Sequence, residues 1–471
     1  MDASDVAFAG AAAQARMVAA GEISARELTE LCLARIERLN PQLNAFRLVL
    51  AEEALAQATR ADEMRAAGEP LPLLGVPVAV KDDTDVAGTL TAYGSNAQES
   101  PATVDSEAVR RLRAAGAVII GKTNVPELTQ WPFTETATFG ATRNPWDLQR
   151  TPGGSSGGSG AAVAAGLVGA ATATDGAGSI RIPAAWCGLF GLKPQRDRVS
   201  MSPRKNPWFG MAVMGSLTRT VGDSALMLDV MAGPASGEAD AVPPPERPFG
   251  ASVHDAPRGL RIAYSTALPP GTIATLAPAG QQAVDETVQL LRDLGHEVFE
   301  RDIDYGPLAI ATVVARYLRG IKVEAGNVAH PERLERRTRG MALLGSLVPQ
   351  KYVDSTIAGE AQFAERVGAL FTEFDVILTP ATAVGAPAIG ALEGRGALWT
   401  LNTVAGWVPY YGVWNVTGQP AASVPAGRSA DGMPRSVQLV GRFADEATLL
   451  ALAAQLEAAR PWAHERPPLF A

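Results

Sequence analysis

"TPGGSSGGSGAAVAA", Thr151 to Ala165, carries five glycines in its first ten residues. Such a run suits a flexible linker, a phosphate-cradling loop or a turn that presents a nucleophilic serine, and the three readings lead to different folds. The residues that follow weigh against a linker. From Ala161 to Ala171 the chain is almost only Ala, Gly, Val and Leu. That predicts a helix apolar on every side, which belongs in the middle of a fold, with side chains small enough for neighbours to approach closely. A linker would not feed straight into a core helix.

Outward from this run, "LLGVPVAVKDD" (from Leu73) predicts a buried strand ending at Lys81, with charges beginning where the strand leaves the core. "SARELTELCLARIERLN" (Ser24–Asn40) predicts a helix: Ser24 and Glu27 make a capping box, and Leu28, Leu31, Cys32, Ile36 and Leu39 share one face. "DSEAVRRLRAAG" predicts a helix stopped at Gly116, followed by a short buried strand "AVII". "GLRIAYS" (259–265), the helical "PAGQQAVDETVQLLRDLG" ending at Gly295, and "HEVFE" predict a β-α-β unit, and "FDVILTPA" (374–381) another buried strand. Strands alternating with helices over the whole length predict an α/β protein with a mixed sheet. "GPASGEADAVPPPERPFGASVHDAP" is linker-like and is expected to separate a compact core from a more variable half.

Composition removes several function classes. The formal net charge of -8 over 471 residues is wrong for a protein that grips a phosphate backbone. Cys32 and Cys187 lie far apart with no ligand spacing around them, which excludes a disulfide framework or a cysteine-rich zinc site and fits a reducing compartment. "MDASDVAFAG" lacks the basic and apolar segments of a secretory signal, and "AAVAAGLVGAATAT" (161–174) is too short to span a bilayer. The expectation is a soluble, cytoplasmic protein without nucleic-acid or membrane partners.

Three short motifs fail on context. "GAVIIGKT" (Gly116–Thr123) fits a phosphate-binding G-x-x-x-x-G-K-T, yet its middle is strand-forming and "NVPEL" follows where a helix should open. The nucleophile elbow G-x-S-x-G fits on Ser155 or Ser156, but loop-like "RNPWDLQRTP" precedes it where a strand is needed. His254, His296, His330 and His464 are available downstream, and none sits in a recognisable site. "SPRK" (Ser202–Lys205) matches S-x-x-K without its Ser-Asp-Asn or Lys-Thr-Gly companions.

A longer span decides. GGSSGGS, the Ala/Gly helix, "DGAGSIR" and "CGLFGLKP" follow one another to Pro194, preceded by "GVPVAVKDD" and "GAVIIGKTNVPEL". Downstream come "MGSLTRTVGDSALMLDVMAG" and "NVTGQPAASVPAG…GMPRSVQLVG". In this order, from about Gly21 to Trp462, the sequence resembles the amidase signature family. The resemblance implies a single α/β/α domain over 1–471 with a mixed, twisted β-sheet core flanked by helices. The catalytic motifs would lie in about 70–235, the variable half in about 236–400, and the return to the core in about 401–465.

Amide hydrolysis needs a nucleophile, a base, an acid for the leaving amine and donors for the oxyanion. No histidine precedes residue 254, so the motif-rich half must work without imidazole. The family resemblance implies a Ser–Ser–Lys triad: Ser179 as nucleophile, Ser155 as proton relay at a cis peptide bond, and Lys81 as base. On this reading the glycines let an unusual backbone place Ser155 against the nucleophile. Gly176, Ala177, Gly178 and Ser179 would offer backbone N–H groups as an oxyanion hole. Ser156 would support the network, while Asp175 and Arg181 would hold the loop as a pair. Taken singly, Lys81 would be an ordinary solvated strand end and Ser179 a turn residue; the combination, with the serines 24 positions apart, reverses that.

The substrate is less legible. Aromatics cluster in "LWTLNTVAGWVPYYGVW" and near the motifs, and Trp131, Phe133, Trp407 and Trp414 are the candidates for a pocket wall. They favour a small apolar or aromatic acyl amide, with acyl hydrazides and cyclic or aryl amides as alternatives within the family. No cofactor or metal is implied, and a homodimer is left open. The other alternative is the glutaminase subunit of a tRNA-dependent amidotransferase. Such subunits read "DTGGSIRQP" where this chain has "DGAGSIRIP", so Ala177 and Ile182 point away from it.

Overall fold

Eleven strands form one mixed sheet in a computed structural model that describes residues 2–239 and 242–468. In chain order they are β1 (Phe46–Val49), β2 (Pro77–Lys81), β3 (Val118–Thr123), β4 (Ala170–Asp175), β5 (Phe190–Lys193) and β6 (Val213–Thr218). There follow β7 (Arg261–Tyr264), β8 (Glu297–Glu300), β9 (Val376–Pro380), β10 (Ala421–Arg428) and β11 (Pro434–Gly441). They lie side by side as β1-β3-β2-β4-β6-β5-β10-β11-β9-β7-β8. The β2–β3, β2–β4, β7–β8 and β7–β9 pairs are parallel and the rest antiparallel.

β2, β3 and β4 are buried along their whole length, which explains their continuous apolar or small-residue sequence: covered on both faces, they have no solvent side to alternate toward. Helices pack on both faces of the sheet around two large apolar clusters, one including Val78, Val80 and Ile119, the other Ala79, Ile120 and Ala173. The domain is of the α/β class. The capping box of the first long helix is present, with Ser24 Oγ accepting from the Glu27 N–H at 3.1 Å and the Glu27 carboxylate accepting from the Ser24 N–H at 2.8 Å. The β-α-β unit forms as β7, the helix Pro278–Asp293 and β8.

Two local expectations are corrected. The apolar helix is not Ala161–Ala171: it spans Gly157–Ala164, starting inside the glycine-serine run, and Ala170–Asp175 is the strand β4. Alanine's helix propensity is a weak preference, and pairing with β2 on one side and β6 on the other outweighs it. Glycine is needed in this helix because a Cβ on Gly158 would stand 2.4 Å from the Asn124 backbone nitrogen. The charges after β2 also do not mark an exit to solvent. Asp82 and Asp83 are both buried, Asp82 between Arg47 and Lys122. Lys122 therefore lies on β3 paired with a carboxylate at 3.0 Å, not in a phosphate loop.

The linker-like stretch is partly anchored. Phe249 is buried, and its N–H and that of Gly250 donate to Asp229 at 2.6 and 2.8 Å; Asp240 and Ala241 lie outside the described residues. Among the described residues no helix is long and apolar enough to cross a membrane.

Candidate active site

β2 and β4 run parallel, and their C-terminal ends bring Lys81 beside Thr174 although 93 positions separate them. The Lys81 side chain is fully buried. Its Nζ donates to Thr174 Oγ1 at 2.6 Å and to Ser155 Oγ at 2.8 Å, and lies 3.1 Å from Asp83 Oδ2. The Thr174 hydroxyl in turn donates to the same Asp83 oxygen. Burial lowers the Lys81 pKa below the ordinary lysine value, and the Asp83 charge offsets part of that. Asp83 sits below the ordinary carboxylate value: burial pushes it upward, and Lys81 and the Thr174 hydroxyl pull it down by more.

Ser155 reaches Lys81 from the loop before the helix Gly157–Ala164, and the Gly154–Ser155 peptide is cis. A Cβ on Gly154 would stand 2.5 Å from the Trp131 carbonyl oxygen, so the loop passes its neighbour at a distance only glycine allows. Ser156 joins the two serine segments. Its N–H donates to the Ser179 carbonyl at 3.3 Å and its hydroxyl to the Thr174 carbonyl at 3.2 Å.

Ser179 lies between β4 and the helix Arg181–Cys187, half-buried, on the wall of the cavity that Ser155, Thr174 and Asp83 also line. Its hydroxyl makes no hydrogen bond to any described residue. The turn that carries it is clamped by Asp175, whose carboxylate accepts from the Gly178 N–H at 2.6 Å, the Ile180 N–H at 3.1 Å and the Arg181 guanidinium through two bonds of 2.9 Å. Asn415 adds a donor at 2.9 Å and Gln438 accepts from Arg181 at 2.8 Å. Burial raises the Asp175 pKa, yet Arg181 and Asn415 hold it far below the ordinary range, so it remains an anion.

This clamp removes one expected oxyanion donor, since the Gly178 N–H is already committed to Asp175. The N–H groups of Gly176, Ala177 and Ser179 have no acceptor among the described residues. Gly178 holds φ +119, and a Cβ there would stand 2.8 Å from the Tyr411 ring.

The cavity measures about 750 Å³, and its walls are mostly apolar. Trp131, Ile182, Trp208, Tyr317 and Val404 are on the wall, and Ile273, Leu398 and Trp399 are on the wall yet largely exposed. Three of the four aromatics expected there stand elsewhere. Phe133 stacks behind Trp131, ring centroids 5.9 Å apart. Trp407 packs edge-on against Phe133 and faces a second cavity, about 630 Å³ in volume. Trp414 is fully buried in the core with Phe374 and Ile377. Sequence spacing could not separate them: on the helix Ala397–Trp407 alone, Trp399 and Val404 line the first cavity while Trp407 faces the second.

Thr174, Asp83, Asn415 and Gln438 were missed from the sequence. Asp83 had a signal, a second carboxylate two positions after Lys81, but it was read as solvated. The histidines stand apart from this cavity: His296 is bonded to Leu260 and Gln455, and His330 to Glu99 and Glu332. Among the described residues no group of three His, Cys, Asp or Glu side chains could hold a metal ion.

The large mixed α/β sheet that carries this site has known counterparts. The chain belongs to the amidase family, whose profile matches residues 27–450. It is 54% identical over 467 residues to the protein named "Putative amidase AmiB2" of Mycobacterium tuberculosis, covering 99% of each chain. It is 37% identical over 498 residues to the 6-aminohexanoate-cyclic-dimer hydrolase of Paenarthrobacter ureafaciens, covering 98% of this chain and 96% of that one. Among solved structures, 6-aminohexanoate cyclic dimer hydrolase complexed with substrate superposes with a TM-score of 0.88 at 34% identity, covering 99% of this chain and 100% of that one. A bacterial aryl acylamidase of the amidase signature family gives 0.85 at 26% identity and 96% coverage of each. The protein is an amide-bond hydrolase.

Proposed function

We propose that this enzyme cleaves the C–N bond of a carboxylic amide with an apolar or aromatic acyl group, through an acyl-enzyme on Ser179. The observation that carries the reading is the 2.8 Å contact between Lys81 Nζ and Ser155 Oγ at the foot of the cavity that Ser179 lines. A lysine serves as a base when neutral, and its burial favours that form. Ser179 Oγ attacks the carbonyl carbon and passes its proton to Ser155, which gives its own to Lys81. The oxyanion then takes hydrogen bonds from the free N–H groups of Ala177 and Ser179, with Gly176 beside them. On collapse the C–N bond breaks and the proton returns through Ser155 to the departing nitrogen. Water, activated by the same relay, hydrolyses the ester and restores the Ser179 hydroxyl. Asp175 and Arg181 hold the turn in place throughout.

The apolar wall supports an apolar acyl group, and Ile182 on that wall supports a free-standing hydrolase over a glutaminase subunit. The test is peptide mapping after reaction with a fluorophosphonate. The adduct is expected on Ser179, and Ser179→Ala should lower kcat by about 10⁶ by analogy with other serine nucleophiles. A label on Ser155 or Ser156 would reverse the roles of the serines.

A further inference from the structure

The cavity wall carries two charged side chains, Asp83 and Arg204. Asp83 is occupied by Lys81 and Thr174. Arg204 is occupied only in part. It stands on the loop between β5 and β6, with its side chain 19% exposed. Its Nη2 donates to Glu324 on the helix Ala309–Asn327, and the guanidinium carbon lies 5.5 Å from the centre of the Tyr93 ring. Those two contacts hold the group against the helix and the ring. Nε and Nη1 donate to no described residue, and neither is sealed from solvent, so these two nitrogens keep their N–H groups open on the wall of a mostly apolar chamber. A site that presents fixed donors discriminates strongly against ligands that cannot satisfy them.

Charge decides what kind of acceptor fits. Arg204 is already paired with Glu324, and Asp83 faces Lys81. With Lys81 neutral, as its role as a base requires, Arg204, Glu324 and Asp83 together carry one net negative charge. A second carboxylate would enter against that charge, whereas a neutral carbonyl would not. We propose that Arg204 is a specificity-determining residue, binding a second, neutral carbonyl of the substrate, so that the preferred substrates are diamides or related dicarbonyl compounds with an apolar spacer. The inference rests on the amide-hydrolase reading and names the substrate class of the same cavity.

The experiment compares diamides from succinamide to suberamide, monoamides of the same chain length, and the half-amides with a free carboxylate. They are assayed by ammonia release with the wild-type enzyme, Arg204→Met and Arg204→Lys. In the wild type one diamide should have the highest kcat/KM, above both its monoamide and its half-amide. Arg204→Met should lower the ratio of kcat/KM for that diamide over its monoamide about ten- to hundredfold, as expected for a lost charge-assisted hydrogen bond. Arg204→Lys keeps the charge but not the fork, so it should recover only part of the preference. Arg204 also bears electrostatically on Lys81, and an effect by that route would change all substrates alike. Equal changes for diamide and monoamide, or a wild-type preference for the half-amide, would overturn the assignment. A wild-type protein that labels with fluorophosphonate yet hydrolyses only monoamides would overturn it while sparing the amidase reading. A protein that neither labels nor hydrolyses any of the series would remove both.

Discussion

Replacing Asp83 with asparagine deletes a negative charge 3.1 Å from Lys81 Nζ while keeping the size of the side chain and one acceptor oxygen. Asp83 favours the ammonium form of Lys81, and burial opposes it. Asp175 also favours the ammonium, and Arg204 disfavours it; both remain in the variant. At this separation and an effective dielectric of ~20, the charge–charge interaction is about 5 kcal/mol, which would move the Lys81 pKa by close to 4 pH units if nothing else responded. The amide dipole of asparagine and the Ser155 and Thr174 hydroxyls, both already bonded to Nζ, will compensate in part, so a shift of about 1–3 pH units is expected. Its sign is fixed: without Asp83 the ammonium is less stable, Lys81 loses its proton at lower pH, and the acid limb of the rate profile moves down. A less basic amine also accepts a proton less readily, so the plateau of kcat/KM should fall. The assay is kcat/KM against pH for a neutral amide, whose own ionisation cannot contribute. Asp83→Glu should restore much of the wild-type profile. An acid limb that stays in place, or moves up, would show that Lys81 is not the titrating base or that Asp83 does not act on it.

Glu457 is half-buried and remote from the cavity, its carboxyl raised to about 7 by burial and only partly relieved by the Val221 N–H at 3.1 Å. Because its folded pKa lies above the unfolded value, its contribution to stability is full at low pH and is lost as pH rises through about 7. Glu457→Gln should therefore stabilise the fold at pH 8, by up to ~3 kcal/mol, and give no gain near pH 4; equal Tm changes at both pH values would contradict this. Trp414→Ala should cost about 3–5 kcal/mol in chemical denaturation, since Trp414 is fully buried in the core. Trp399→Ala should change stability by less than about 0.5 kcal/mol, because that ring is 59% exposed. It should raise KM for apolar amides, and the opposite pattern would return Trp414 to the cavity wall.

Much of the architecture was legible because it is local. The Ser24–Glu27 capping box, the uninterrupted apolar runs of β2 and β9, and the glycine that ends the Pro278–Asp293 helix each act within a few residues. The "GAVIIGKT" run could be refused as a phosphate loop for the same reason: four strand-forming residues outweigh two glycines. Resemblance to a family then singled out Lys81, Ser155 and Ser179, and the chain folds with all three at the ends of neighbouring elements.

What remained hidden depends on partners distant in the chain. "VKDD" reads as a strand leaving the core until β1 and β3 bring Arg47 and Lys122 to Asp82, and β4 brings Thr174 to the Lys81–Asp83 pair. Ala170 and Ala171 continue a helix-forming Ala/Gly run and become strand because β2 and β6 flank them. The Gly178 N–H looks available until Asp175, three residues earlier, turns back to take it. Trp131, Phe133, Trp407 and Trp414 are alike as sequence, and only packing sends the first to the cavity, the second behind it, the third to another cavity and the fourth to the core. Arg204 gave no signal at all, since its meaning comes from the N–H groups of Nε and Nη1 left open once Glu324 has taken Nη2. Local propensity and pattern are written along the chain, whereas burial, charge balance and the direction of an unpaired donor arise only when the sheet brings separated segments together.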